Sequence, residues 1–290
     1  MSYNLLFRPN AHKKKGIMPI MSSEIIAHRG ASYLAARENT MEAFQIAMDV
    51  HADTIELDVR QTFDKILVVY HDEAINNIPL RTLTYQQLSD ASEALGYHIP
   101  TLEEVLKFCQ NKIRLLIELK EAGYEKRLIS MVNNYYSYDQ YRLQSFLDIV
   151  VRRVKHIDPN VTVGLLVGVR GADFRTHFNE YFPVRRLRDC HADFISAYYL
   201  LITPDFLLRM TQNEIPVYAW TTDDPKAISR LLEAEIDGII TNRPEAGVYL
   251  RSKYEKQEAD TDAKRAKTAA IFRKLLPHRS SKHSSEKSEN

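Results

Sequence analysis

An α/β barrel of eight parallel strands, with a small insertion after the second strand, is the fold class this sequence predicts, and three observations predict it. Short β-branched runs alternate with amphipathic stretches along most of the 290 residues, the pattern of repeated strand–helix units around a parallel sheet. Eight such runs can be read, the number a closed barrel requires. The length also fits, since barrels of about 250 residues form a single domain.

Taken in order, residues 1–23 lack periodicity and read as an N-terminal arm. It carries the basic run His12-Lys13-Lys14-Lys15, and the stretch after that run is too short and too polar for a signal-peptide core. Strands are expected at 24–27, 54–60, 114–119, 142–146, 161–166, 193–197, 216–220 and 237–241. Helices are expected at 40–50, 101–110, 124–135, 147–157, 204–212, 225–234 and from 244 onward. Asn39 or Thr40 can cap the first of these, with Glu42 completing a capping box, and Pro204, Pro225 and Pro244 stand in first turns. The segment 61–65 is too short for a crossover helix, so 66–70 should pair antiparallel with 54–60 as a hairpin at the barrel rim. Residues 73–100 form a polar, turn-rich insertion, a candidate lid. The barrel domain is expected over 24–252, followed at 253–290 by a charged, disordered tail with a basic amphipathic patch at 271–276.

Composition excludes several function classes. The formal net charge is +1, with 44% hydrophobic and 27% charged residues, so no basic excess points to nucleic acid. Cys109 and Cys190 show no CxxC or Cys/His spacing, which argues against a disulfide framework or a zinc site and for a reducing compartment. No apolar run reaches the roughly 18–20 residues of a membrane span. The expectation is a soluble, cytoplasmic protein acting on a small molecule, with membrane contact reserved for the patch at 271–276; no feature speaks to oligomeric state.

The chemistry concentrates between Ile25 and Asp72. Glu56 and Asp58 stand two apart on a strand and leave the same face. A parallel barrel strand should be nearly all apolar, and two carboxylates there carry a desolvation cost of several kcal/mol unless a cation compensates. Glu118 repeats the feature on the next strand, with Lys120 on the same face. Three acids at the ends of neighbouring strands suit one hard divalent cation, Mg²⁺ or Ca²⁺. His28 and His71 each follow an apolar run directly, a pair able to divide proton removal from proton donation. Arg29 and Lys120 offer fixed positive charge, and the arginine fork matches phosphate oxygens. On chemistry alone this is metal-assisted cleavage of a phosphate ester.

The motifs also occur in a familiar order. His28-Arg29-Gly30, Glu38-Asn39-Thr40, Ile55-Glu56-Leu57-Asp58-Val59, Val69-Tyr70-His71-Asp72, Pro100-Thr101-Leu102-Glu103, Ile117-Glu118-Leu119-Lys120, Ala219-Trp220-Thr221 and Asp237-Gly238-Ile239-Ile240-Thr241-Asn242-Arg243-Pro244 together resemble the glycerophosphodiester phosphodiesterase family. The resemblance covers about residues 24–250. It implies a TIM barrel with a small insertion and the hydrolysis of a glycerophosphodiester to sn-glycerol 3-phosphate and an alcohol. It further implies Glu56, Asp58 and Glu118 as ligands of one divalent cation, His28 and His71 as the acid–base pair, Arg29 and Lys120 as phosphate contacts, and Trp220 as a pocket aromatic.

Three positions depart from the family's pattern. Arg37 stands where proline is usual, Lys65 where the hairpin turn usually has glycine, and Asn242 where aspartate is usual. The insertion is short and keeps only Arg81-Thr82 of a longer family segment, so head-group preference is the least transferable property. Rival readings are a lysophospholipase D or sphingomyelinase-D-like activity on lipids, a phosphoinositide-cleaving phospholipase C that the three-acid pattern fits poorly, and a catalytically silent binding member.

Overall fold

The computed structural model describes residues 23–168 and 180–275. Described residues up to Arg251 form one compact unit and those from Ser252 a second. The arm expected at 1–23 lies outside the described residues except for Ser23, as do the residues from 276 onward and the side chains of the basic patch.

In chain order the strands are β1 (Glu24–His28), β2 (Thr54–Gln61), β3 (Leu67–Val69), β4 (Ala74–Ile75), β5 (Ile78–Pro79), β6 (Arg114–Leu119), β7 (Tyr141–Ser145), β8 (Val163–Val167), β9 (Phe194–Tyr198), β10 (Val217–Trp220) and β11 (Gly238–Thr241). Eight of them run parallel in the order β1-β11-β10-β9-β8-β7-β6-β2, and pairing of β1 with β2 closes the barrel. β3 adds to β2 antiparallel through Val59↔Val69 and Gln61↔Leu67, the expected rim hairpin.

The helices obey their local signals. Thr101 caps Leu102–Cys109 in a full capping box with Glu104, and Thr203 and Asp224 cap Pro204–Gln212 and Pro225–Glu233 behind a first-turn proline. At Met41–Asp49 the cap is Thr40, which accepts from the Ala43 N–H. Glu42 therefore falls one position short of a capping box, and Asn39 is released for another use. Helices at Tyr85–Glu93 and Val184–Cys190 are found among the described residues beyond those expected. The first buries Leu88 as its one large apolar side chain, and the second buries only Leu187 and Cys190, so neither displays a broad apolar stripe. The last helix runs Pro244–Leu275. Where the composition from 253 onward suggests a disordered tail, the Ala- and Lys-rich sequence up to Leu275 has the propensity to continue the helix that Pro244 starts.

The insertion has a core of its own. Ile75, Leu80, Leu88 and Ile99 cluster with Val68 of β3, and Tyr70, Leu83, Tyr85 and Tyr97 pack around them. β4 and β5 form a hairpin whose two loop residues, Asn76 and Asn77, both have positive φ, at 50° and 63°, as a type I′ turn demands. Tyr97 reaches back toward the barrel, where the Arg37 guanidinium lies 4.3 Å from its ring centroid. Arg37, a departure in sequence, thus ties the insertion to the loop after β1.

Register decides which side chains enter the barrel. Ile26↔Thr54, His28↔Glu56, Glu56↔Leu116, Asp58↔Glu118 and Glu118↔Gln144 are neighbours across the sheet. They therefore share a face with the interior cluster Ile26, Leu116, Phe194, Tyr218 and Ile240. Ile55, Leu57, Val59, Leu115, Ile117 and Leu119 face the other way and are fully buried. Gly164 makes room for this interior, since a Cβ there would lie 2.1 Å from the Phe194 ring. At the strand starts Glu24 closes the barrel floor, paired with Arg142 at 2.6 Å and Arg114 at 3.1 Å. The strand ends, with His28, Asp58 and Glu118, form the opposite, open face.

Candidate active site

The site begins with the acids that the register places at the barrel mouth. Ligand oxygens of Glu56, Asp58 and Glu118 all lie within 4.8 Å of one another, and all three residues are buried. Burial raises the Glu56 carboxyl well above its usual range, and repulsion from Asp58 and Glu118 adds to this. Glu118 is pushed up to about 7 by burial and then by Asp58. Burial works in the same direction on Asp58, but Lys120, Arg29 and the two histidines His71 and His28 outweigh it and hold that carboxyl below its usual range. Asp58 is the fixed anion of the group, and the other two resist ionising beside it.

Two cations stand against this cluster. Lys120 Nζ lies 2.8 Å from Glu118 Oε1 and 3.2 Å from Asp58 Oδ1. Arg29 Nε lies 3.1 Å from Asp58 Oδ2, and its Nη1 donates to Glu38 Oε1 at 2.8 Å. Arg29 adopts φ 54°, a left-handed turn directly after β1. That turn aims its own N–H at Glu56 Oε2, 3.1 Å away. Gly30, at φ 80°, follows because a Cβ would meet the Ala43 backbone at 2.7 Å.

The carboxylate cluster passes a test for a hard cation. Asp58 Oδ1 is buried and, despite the Lys120 ammonium, takes no well-aligned hydrogen bond. The three carboxylates outnumber the two basic side chains set against them, and the donor set is all oxygen, so the group can hold a divalent ion such as Mg²⁺ or Ca²⁺.

The histidines are placed differently. His28 Nδ1 lies 2.6 Å from Asn242 Oδ1, and its Nε2 lies 4.0 Å from Glu56 Oε2. Burial, then Arg29, lowers its pKa to about 4, so the ring is neutral at pH 7. His71, at the rim after β3, is about one-third exposed and pairs through Nδ1 with Asp72 Oδ1 at 2.8 Å. The Arg60 guanidinium donates to the His71 carbonyl at 2.7 Å and fixes the backbone there.

Trp220 packs against the interior cluster of the barrel. Its indole N–H donates to the Val167 and Ser196 carbonyls at 3.1 and 3.0 Å, so that proton is not available to a ligand. The ring packs edge-on against Phe146 at 5.3 Å and near Tyr198 at 5.6 Å, as a wall between β8, β9 and β10.

Supporting residues emerge that sequence reasoning missed or read otherwise. Asn39, expected as a helix cap, is buried at φ 55° and donates to Asp58 Oδ2 at 2.9 Å. Gln144 Nε2 approaches Glu56 Oε1 at 3.5 Å while its Oε1 accepts from Ser196 at 2.8 Å. A polar residue at the inward parity of β7 was the one available signal for Gln144. Glu38, half of a motif already noted, is the partner of Arg29.

The chain is similar to known proteins. The family described as the glycerophosphoryl diester phosphodiesterase family matches residues 28–246. A glycerophosphodiester phosphodiesterase of Caldanaerobacter subterraneus subsp. tengcongensis is 30% identical over 248 residues, spanning 79% of this chain and 98% of that protein. A glycerophosphodiester phosphodiesterase from Thermotoga maritima superposes with a TM-score of 0.65 at 26% identity, covering 79% of this chain and 98% of the other. An Oleispira antarctica phosphodiesterase, solved in complex with the product sn-glycerol-3-phosphate, shares the fold with a TM-score of 0.67 at 19% identity, covering 79% and 96%.

Proposed function

Because the chain belongs to the glycerophosphoryl diester phosphodiesterase family, we propose that it hydrolyses glycerophosphodiesters to sn-glycerol 3-phosphate and an alcohol, with a divalent cation and two histidines. The observation that carries this reading is the buried triad Glu56, Asp58 and Glu118 with His28 Nε2 4.0 Å from Glu56. Glu56, Asp58 and Glu118 would hold a divalent cation, which when bound would supply Lewis-acid stabilisation of the phosphoryl group. Glu56 and Glu118, reluctant to ionise on their own, are the ligands that such an ion would draw into the charged form.

The remaining work falls to the protein's own side chains. Arg29 and Lys120, already held at the acids, present their free N–H bonds to the phosphoryl oxygens and balance charge that builds there. Neutral His28 accepts a proton at Nε2 from the attacking hydroxyl. His71, whose Nδ1 faces the Asp72 carboxylate, donates a proton to the departing alkoxide. The same groups serve attack by water or by a glycerol hydroxyl. Trp220 contributes the face and edge of its ring, not its N–H.

Among the described residues no helix is long and apolar enough to cross a membrane. Cys109 and Cys190 are buried and free, which supports a cytoplasmic reading. A second reading, cleavage of lysophospholipids, draws on exposed Leu34, Leu147 and Leu200 in loops that come after β1, β7 and β9 on the open face.

The deciding experiment measures glycerol 3-phosphate release from a panel of glycerophosphodiesters and lysophospholipids with Mg²⁺, Ca²⁺ or chelator. Cation-dependent release from the water-soluble diesters, lost in His28→Ala and His71→Ala, is the expected result. Full activity in chelator contradicts the metal site, and release from lysophospholipids alone selects the second reading.

A further inference from the structure

His28 is a useful proton acceptor toward the acids only if its hydrogen sits on the other nitrogen, and a chain of three residues decides this. Asn242 comes directly after β11 and directs its Oδ1 at His28 Nδ1, 2.6 Å away. An asparagine amide can present either end, so something must set it. Asp223, in the loop after β10, does so: its Oδ2 accepts from Asn242 Nδ2 at 2.7 Å. A carboxylate offers only acceptors, so the NH₂ end must face Asp223 and the oxygen must face the histidine. Ser32 agrees, its hydroxyl donating to the same Asn242 Oδ1 at 2.9 Å. Asp223 is itself anchored, because its Oδ1 accepts from the Asn242 N–H at 2.8 Å and from Thr241 Oγ1 at 2.9 Å.

We propose that Asp223, acting through Asn242, is a positioning relay that holds His28 in the Nδ1–H form with a bare Nε2 facing the acidic cluster. No proton moves along the relay, since Asn242 cannot ionise; it fixes orientation and tautomer alone. The second contact, Ser32 on the same oxygen, brings the loop after β1 into the relay, so three loops of the barrel mouth set one ring. The relay rests on the two-histidine reading for its kinetic consequence but not for its structural one.

The test uses full-length protein with ¹⁵N-labelled histidine in ring ¹H–¹⁵N correlation spectra at neutral pH, His28 being assigned by the resonance lost in His28→Ala. In the wild type, Nδ1 should carry the proton and Nε2 should show the shift of an unprotonated ring nitrogen. Asn242→Leu should lose this preference and lower kcat about 10- to 100-fold with little change in KM. Asn242→Asp combined with Asp223→Asn, which keeps an acceptor toward the ring and a donor–acceptor pair behind it, should keep both. Asp223→Ala, which frees the amide to turn, should show a mixture of ring forms.

A wild-type His28 protonated at Nε2 overturns the proposal, as does a folded Asn242→Leu with unchanged kcat and ring spectrum. If Asn242→Leu does not fold, the wild-type spectrum together with the Asn242→Asp/Asp223→Asn double variant and Asp223→Ala decides the matter. Retained turnover in His28→Ala would remove the two-histidine reading, while the ring spectrum would still judge the relay.

Discussion

Asn39 touches Asp58 twice, donating through its side-chain amide at 2.9 Å and placing its side-chain carbonyl oxygen 3.4 Å from the Asp58 backbone nitrogen. Both groups are buried, so removing the amide leaves Asp58 Oδ2 with only the Arg29 ion pair and takes an acceptor from the Asp58 N–H. Asn39→Leu should cost about 1–3 kcal/mol of stability and weaken Mg²⁺ binding about 10- to 100-fold, read by thermal melting and by titration calorimetry. Unchanged metal affinity in a folded variant would remove Asn39 from the site. The sequence marks Asn39 as a polar residue at a helix start, where a cap is the ordinary use. Its real partner lies on another strand, and only the left-handed backbone that hands the cap to Thr40 brings it there. By contrast Glu56, Asp58 and Glu118 could be read directly, because charges at the inward parity of a barrel strand have few structural uses. Trp220 carries no such signal: its position is visible in the sequence, but the carbonyls that consume its N–H are not.

The rim hairpin is the element where local strain is easiest to remove. Lys65 sits at φ 71° in the turn between β2 and β3 with its side chain exposed. A left-handed conformation costs an L-residue about 1–2 kcal/mol, against a loss of about 0.5–1 kcal/mol for the extra unfolded-state freedom of glycine. Lys65→Gly should therefore stabilise slightly, raising Tm by about 1–4 °C with kcat and KM unchanged; a lowered Tm would show that the lysine side chain contributes more than its backbone strain costs. The turn's other contacts survive the change, since Arg127 binds the Lys65 carbonyl and Asp64 accepts from the Tyr85 N–H at 3.0 Å. Through Asp64 the hairpin also holds the insertion helix. That helix was hidden in the sequence because Tyr85–Glu93 is mostly polar, and its order comes from the Thr84–Gln87 capping box and from one leucine set into a cluster built by distant residues. The barrel strands were legible for the opposite reason, each carrying an apolar or alternating run that needs no distant partner to be recognised.

At the scale of the whole molecule, stability and the site are linked through protons. In the metal-free protein Glu118 titrates near 7, raised from its usual value of 4.5 chiefly by burial and then by Asp58. Between those two pH values the folded chain holds a proton that the unfolded chain has released. Stability therefore falls as pH rises through that window and is level above it. Over the whole window the loss amounts to about 3 kcal/mol. His28 works the other way: its pKa is lowered from 6.5 to about 4, chiefly by burial, so between these values the unfolded chain binds the extra proton and stability rises with pH. The two effects offset one another across most of the mildly acid range, and Glu118 dominates only as pH approaches neutrality. Glu118→Gln removes one of them without changing shape. In chelator its melting temperature relative to wild type should climb as pH rises from about 5 to 8, by up to the equivalent of about 3 kcal/mol. Saturating Mg²⁺ should shrink or reverse that advantage, because a cation bound only to the folded wild type stabilises the charged carboxylate by mass action. A pH-independent difference between the two proteins in chelator would show that Glu118 is ionised throughout, and would leave the acidic cluster without the strain that a divalent ion is expected to relieve.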